Sequence, residues 1–150
     1  MKMKTLDPTC AIAFSTKLLG DKWSLLILRD IILHKKTRFK EFRSSKENIA
    51  TNILSNRLKS MNSFGFIELL DPEGTKKSRQ YIATNKGLSV LPIIIEFYLF
   101  SIHSIDESVL NESQLMIKNE VLENRNSFEK ERKESYLNYV NELKAIKSLV

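Results

Sequence analysis

The chain has 150 residues, with 24 Lys and Arg against 18 Asp and Glu, a net charge of +6 and a sequence pI of about 9.4. That length suits one domain with a sizeable core, and the charge favours polyanionic partners. A single cysteine excludes an intrachain disulfide and any CxxC metal pattern, and no Gly-rich phosphate loop, Ser–His–Asp set or carboxylate pair stands out, so neither metal, cofactor nor enzymatic activity is expected.

The N-terminus, Met1-Lys2-Met3-Lys4 followed by Leu6-Asp7-Pro8, lacks the apolar run of a signal peptide. The longest apolar stretch, Leu88 to Phe100, covers 13 residues and contains Ser89, Pro92 and Glu96, short of the roughly 20 that a membrane span requires. A cytoplasmic protein with no membrane partner is the expectation. Asp21 can cap a helix from Lys22 to about Leu33. Its apolar residues Trp23, Leu25, Leu26, Ile27, Leu28, Ile31 and Ile32 cover nearly the whole circumference, which predicts a central position. After the turn His34-Lys35-Lys36-Thr37, Phe39 and Phe42 share one face of a short helix and leave Arg38, Lys40 and Arg43 outside.

A second helix begins near Ala50. Leu54, Leu58 and Met61 lie within about 60° of one another on a 3.6-residue wheel and form a core stripe. The opposite arc holds Asn52, Ser55, Asn56, Lys59 and Ser63 and contains no acid. An ordinary solvated face alternates Glu with Lys, whereas amides, hydroxyls and one Lys suit base edges and phosphates. Thr51, at the start of the helix, joins this candidate set. Gly65 ends the helix at a position that calls for positive φ. The segment Phe66–Leu70 reads as a strand, Asp71-Pro72-Glu73-Gly74-Thr75 as a turn, and Arg79–Ala83 as the return strand, with Lys76, Lys77 and Arg79 at its start. Helix, turn, helix and basic hairpin make a winged helix-turn-helix, in which the hairpin and outer arginines would touch phosphate or minor groove. The plain alternative is a solvated hairpin tip.

Thr84 to Ser104 is expected to be one helix with two apolar stripes. Leu88, Leu91, Ile95, Leu99 and Ile102 make the first; Ile93, Phe97 and Phe100 make the second on nearly the opposite side. Two stripes call for cover from both sides, either from a second subunit or from residues 106–150 folding back. Pro92 should bend or open the helix. Residues 106–150 contain no Gly or Pro and read as one or two helices, with Tyr136, Val140, Leu143 and Ile146 as a narrow seam and Val121 and Phe128 seven apart. The segment could extend the interface, cover the dimer helices or bind a partner.

The run Gly20-Asp21-Lys22-Trp23-Ser24-Leu25-Leu26-Ile27-Leu28-Arg29 resembles the G-x-K-W-x-x-x-I-L segment of the HxlR family of bacterial winged-helix transcriptional regulators. The similarity continues through Arg38–Phe42, Ile49–Lys59, Phe64–Ile67 and Tyr81–Gly87, spanning about Cys10 to Ile105 in matching order. The resemblance implies a homodimer that binds a double-stranded DNA operator, usually as a repressor, and it is silent about 106–150. It also bears on Cys10, which lies 13 positions before Trp23, where many relatives carry a cysteine that in some senses oxidants or electrophiles. Here Ala11 replaces the Pro that commonly follows. Lys17 and Lys22 are candidates to favour the thiolate; the alternative is a small buried hydrophobe.

The sequence therefore predicts an α+β, mostly helical fold: a winged helix-turn-helix with flanking dimerisation helices in residues 1–105 and a C-terminal helical extension in 106–150. Residues 1–105 hold 17 Lys and Arg against 9 Asp and Glu, a balance of +8; residues 106–150 hold 7 against 9, a balance of −2. The positive excess falls in the proposed DNA-binding part. The rival function is a winged helix that binds protein instead of DNA, which would present an apolar patch on the recognition helix. The effector, whether redox or small molecule, is not specified.

Overall fold

The computed structural model describes residues 10–149. Eight α-helices and a two-stranded sheet follow in the order α1 (Ala11–Leu19), α2 (Ser24–Ile32), α3 (Phe39–Arg43), α4 (Thr51–Ser63), β1 (Ile67–Leu69), β2 (Tyr81–Ala83), α5 (Asn85–Leu88), α6 (Leu91–Ser101), α7 (Glu112–Glu123) and α8 (Arg125–Ser148). Short 3₁₀ turns, Ile102–Ser104 and Glu107–Val109, link α6 to α7. The fold is mostly helical with a winged helix-turn-helix at its centre.

Helix α2 is the hub, as its apolar circumference predicts. Ile27, Leu28, Ile31 and Ile32 are buried, and its contacts reach α6, β2 and α8. Asp21 starts it: the carboxylate accepts from the Trp23 and Ser24 amides at 3.0 and 2.9 Å and from the Ser24 hydroxyl. Burial works against this charge, but the Ser24 hydroxyl, both amides and Arg57 hold the carboxyl below its ordinary value. Regular helix begins at Ser24, two residues later than the sequence reading. At the other end Asp30, 3% exposed, bonds the Arg29 guanidinium at 2.8 Å and the Ser45 hydroxyl. Arg29 reaches on to Glu47 at 2.7 Å, and that hydrogen bond holds the Glu47 carboxyl below its usual range. A buried carboxylate is tolerable only when satisfied in this way, and the network ties α2 to the loop between α3 and α4.

Leu54, Leu58 and Met61 of α4 are buried against this core, the stripe expected for the helix. Leu54 is fully inaccessible, and truncating such a residue to alanine costs about 2–5 kcal/mol. Gly65, with φ 80°, closes α4: its amide bonds Asn62 O at 3.1 Å and the Phe66 amide bonds Met61 O at 2.9 Å. That pair of bonds satisfies the last carbonyls of the helix and turns the chain into β1.

Both strands are shorter than the sequence suggested. Antiparallel pairing is confined to Ile67↔Ala83, Glu68↔Ile82 and Leu69↔Tyr81, with one further bond from the Leu70 amide to Gln80 O. Beyond that, Asp71–Gly74 and Thr75–Ser78 close two local turns that use backbone groups a longer ladder would need. Lys76, Lys77 and Arg79 consequently sit in the loop of the wing, ahead of β2 rather than on it.

The single helix expected over Thr84–Ser104 is broken. Thr84 caps α5 by accepting from the Gly87 amide, as expected, but the helix stops at Leu88 and α6 restarts at Leu91. Pro92 is the cause: it has no N–H to offer Leu88 O, and it fits the first turn of a new helix. The stripe of Leu88, Leu91, Ile95 and Ile102 is buried, with Leu99 half-buried. Taken as one run, Asn85–Ser104 has the length and apolarity of a membrane span, at a mean hydropathy of 1.5, more than the 13-residue stretch indicated. In this fold, its inner face belongs to the core.

The C-terminal segment folds back. Val121, Phe128, Tyr136 and Val140 join the same hydrophobic core as α2 and α4, while Ile146, at the far end of the expected seam, stays exposed. Arg125 bonds Pro92 O and pairs with Glu96, fixing the α7–α8 corner on α6. This packing leaves the second stripe of α6 open.

A candidate nucleic-acid interface

Helix α4 has one buried face and one open face. Thr51, Asn52, Ser55, Asn56 and Lys59 are all exposed. The helix begins after Ala50, which offers no side-chain cap, and its first turn carries no acid. Its leading amides therefore remain available to an anion, and the positive end of the helix dipole favours one there.

The open face of α4 forms one wall of a groove of about 650 Å³. The walls come from Arg38, Phe39 and Lys40 at the start of α3, Ser55, Asn56, Leu58, Lys59 and Asn62 of α4, Leu69 and Tyr81 of the sheet, and Lys76, Lys77 and Arg79 of the wing. Six cations and no carboxylate line it. None of the six is in an ion pair among the described residues, whereas Arg29, Arg57, Arg125 and Arg132 all are. Exposed cations left without acids in a concave, polar setting make a region of positive potential.

Several supports hold the groove in shape. The Arg38 amide, at the start of α3, donates to Glu41 at 2.9 Å, and the Thr37 amide donates to the same carboxylate at 3.2 Å. The Tyr81 amide donates to Thr37 O at 2.8 Å, which joins the edge of the wing to the turn before α3. Lys86 donates to Phe64 O at 2.6 Å from a position over the Phe66 ring, placing a cation at the C-terminal end of α4.

The structure thus brings together Arg38, Lys40, Ser55, Asn56, Lys59, Lys76, Lys77 and Arg79. It places Thr51 and Asn52 on the first turn of α4, exposed but outside the groove walls, and Arg43 on the far end of α3, also outside them. Asn62 and Tyr81 line the groove and were missed. Asn62 had a signal, lying three residues after Lys59 and seven after Ser55. Tyr81 had none, because its place depends on the register of the wing.

The remaining candidates lie elsewhere. Ile93, Phe97 and Phe100 on α6 are 39%, 63% and 89% exposed. Cys10 is exposed at the start of α1, so the reading of it as a small buried hydrophobe is overturned. Lys22, one of the two cations proposed to act on its thiol, is turned toward Trp23, 4.7 Å from the ring centre. Among the described residues no group of three or more His, Cys, Asp or Glu could hold a metal ion.

A helix-turn-helix flanked by a short wing, with its second helix outward, defines a winged-helix regulator. The family profile described as HxlR-like helix-turn-helix matches residues 18–125, and the chain belongs to that family. The match passes the expected boundary at 105 and ends where α8 begins. Two curated relatives are both described as uncharacterised HTH-type transcriptional regulators. BH0655 of Halalkalibacterium halodurans is 26% identical over 95 residues, covering 63% of this chain and 83% of the relative. YdzF of Bacillus subtilis is 28% identical over 83 residues, covering 55% and 76%. Among solved structures, a candidate MarR-family regulator from Porphyromonas gingivalis W83 superposes with a TM-score of 0.55 at 27% identity, covering 69% of this chain and all of its own. The oxidised form of the redox regulator HypR superposes at 0.56, with 21% identity and coverage of 65% and 99%; at that identity the likeness is one of fold. The protein is a transcriptional regulator of the HxlR-like winged-helix type.

Proposed function

We propose that the protein binds an operator in double-stranded DNA as a homodimer, with α4 in the major groove and the wing on the flanking backbone, and that it acts as a repressor. The observation that carries the reading is the groove between α4 and the wing, lined by six cations and no acid. Asn56 and Asn52 would read base edges, as an amide can pair bidentately with adenine; Ser55, Lys59 and Thr51 would assist. Arg38, Lys40, Lys76, Lys77 and Arg79, with Arg43 at the margin, would position the phosphates. A protein-binding wing would instead call for an apolar patch on α4. Only Ile53 and Phe64 are exposed there, at 38% and 43%, and the helix face between them is amide, hydroxyl and lysine.

The homodimer rests on the open stripe of α6. Ile93, Phe97 and Phe100 present apolar area that α7 and α8 leave bare, and a second copy of the same helix is the simplest cover. Cys10 is proposed as the site of an oxidant or electrophile response. With no second cysteine in the chain, its reaction would be a bridge to the partner's cysteine, a mixed disulfide or alkylation. The signal would then act on dimer geometry, and operator binding by Cys10→Ser should lose any sensitivity to diamide or a quinone that the wild type has.

Selection from a pool of random duplexes tests the central claim. Enrichment of a pseudo-palindrome whose half-sites lie about 34–36 Å apart is expected. Failure to enrich any sequence, with retention that does not depend on salt, would remove the DNA reading.

A further inference from the structure

The family match stops at residue 125, yet α8 runs on to Ser148 and takes hold of the wing at two points. The wing has only two strands, so β2 has an outer edge whose N–H groups need partners. β1 occupies its inner side, through Gln80 O, Ile82 and the Thr84 amide. The outward amides are those of Tyr81 and Ala83. The first donates to Thr37 O at 2.8 Å, and the second to the Tyr136 hydroxyl of α8, also at 2.8 Å. Tyr136 therefore stands where the carbonyl of a third strand would. It is 1% exposed, and burial pushes its hydroxyl up to about 12, so the oxygen remains a neutral acceptor. Eleven residues on, three turns along α8 and about 16 Å away, Lys147 donates to Leu70 O at 3.1 Å and lies 3.4 Å from Asp71 Oδ1. Leu70 and Asp71 are where the chain leaves β1 for the cation-bearing loop. The two anchors bracket the segment that holds Lys76, Lys77 and Arg79.

We propose that Tyr136 and Lys147 of α8 are positioning residues for DNA binding, holding the cations of the wing in register with the exposed face of α4. The proposal rests on the DNA reading above and gives the C-terminal extension a role in setting how many phosphates the wing reaches.

Tyr136→Phe keeps the ring in the core and removes only the acceptor; Lys147→Ala and Lys147→Arg act at an exposed pair. Each full-length variant is compared with wild type in two ways: residue-resolved amide exchange without DNA, and the slope of log K against log salt on a selected duplex. Tyr136→Phe should raise exchange at Ala83 about tenfold or more while amides of α2 and α6 keep their protection. Tyr136→Phe and Lys147→Ala should each weaken binding several-fold and lower the slope by about 1, with Lys147→Arg restoring it. Wild-type exchange at Ala83 in Tyr136→Phe, or wild-type slopes in both variants, would overturn the proposal. Should Tyr136→Phe lose protection throughout, an unchanged slope in Lys147→Ala alone would be enough to overturn it. Wild type that binds no duplex would sink the DNA reading and this role with it, while the exchange data would still show whether α8 holds the wing.

Discussion

Helices α4 and α6 have the same geometry and opposite chemistry. Each buries one stripe in the common core, Leu54, Leu58 and Met61 in one case and Leu91, Ile94 and Ile95 in the other, and each leaves its other side open. The open side of α4 is Asn, Ser and Lys; that of α6 is Ile93, Phe97 and Phe100. A polar surface without acids is indifferent to water and selective for anions. An aromatic surface has a standing free-energy cost until something dry covers it, about 25 cal/mol per Å² of apolar area. In the reading proposed above, the contrast separates two partners on one small domain, nucleic acid on the side of α4 and a second copy of the chain on the side of α6.

The sharpest way to break that contrast is Phe97→Asp. The residue is 63% exposed in the single chain, so the subunit should stay folded. Burying the carboxylate in an interface would cost several kcal/mol, about the margin of many dimers. Light scattering should show a monomer, and tight operator binding should disappear because only one half-site can be held. A dimer that survives the change would move the interface to another surface.

Next in size comes Asn56→Ala. One bidentate base contact is worth about 1–3 kcal/mol, so the cognate site should weaken by that amount and discrimination at one position should relax. Equal affinity of variant and wild type for the selected duplex, by anisotropy titration, would show that the open face of α4 reads no base. Lys76→Ala should produce a smaller and less selective loss: all sequences weaken alike, and the salt slope drops by about 1. A loss confined to one base position would mark Lys76 as a reader of sequence instead.

The smallest effect concerns stability. Asp21 has a depressed carboxyl, so its contribution is present at pH values above 3.8, the ordinary aspartate value, and is lost as pH falls through the lower folded-state value. The melting temperature of Asp21→Asn should lie below that of wild type at pH 7, and the gap should close as pH falls below about 4. A gap of constant size across that range would mean the charge of Asp21 plays no part in starting α2.

Much of this was legible in local pattern. The stripe of α4, the glycine that ends it, the all-round apolar α2 and the two faces of α6 each depend on spacing within one helix, and spacing is what a sequence displays. The wing was legible in order but not in length. Its strands stop at three residues because Asp71–Gly74 and Thr75–Ser78 make local turns, a competition between backbone bonds that composition does not rank. The break before Pro92 was expected as a bend or a local opening, and became a full restart because Pro is acceptable in the first turn of a helix. Least legible were contacts distant in sequence. Nothing around Tyr136 announces that its hydroxyl will meet an amide 53 residues earlier. Nor does the run after Leu70 show that Lys147 will close over it.

If the protein binds an operator as proposed, the junction between α4 and α5 bears on which one. Lys86 and Thr84, at the start of α5, bond Phe64 O and Gly65 O at the end of α4, the latter at 2.5 Å. Gly87 packs so closely on Phe66 O that a Cβ there would collide with it. Helix α4 is thus clamped to α5, the segment that precedes α6. In the proposed dimer such a joint works as a fixed-angle bracket: it holds the two reading helices at one separation and one phase. DNA repeats about every 10–10.5 base pairs, so a single base pair added between half-sites would swing one of them roughly a tenth of a turn out of alignment. On that proposal, binding should tolerate substitutions within a half-site better than any change in the spacer.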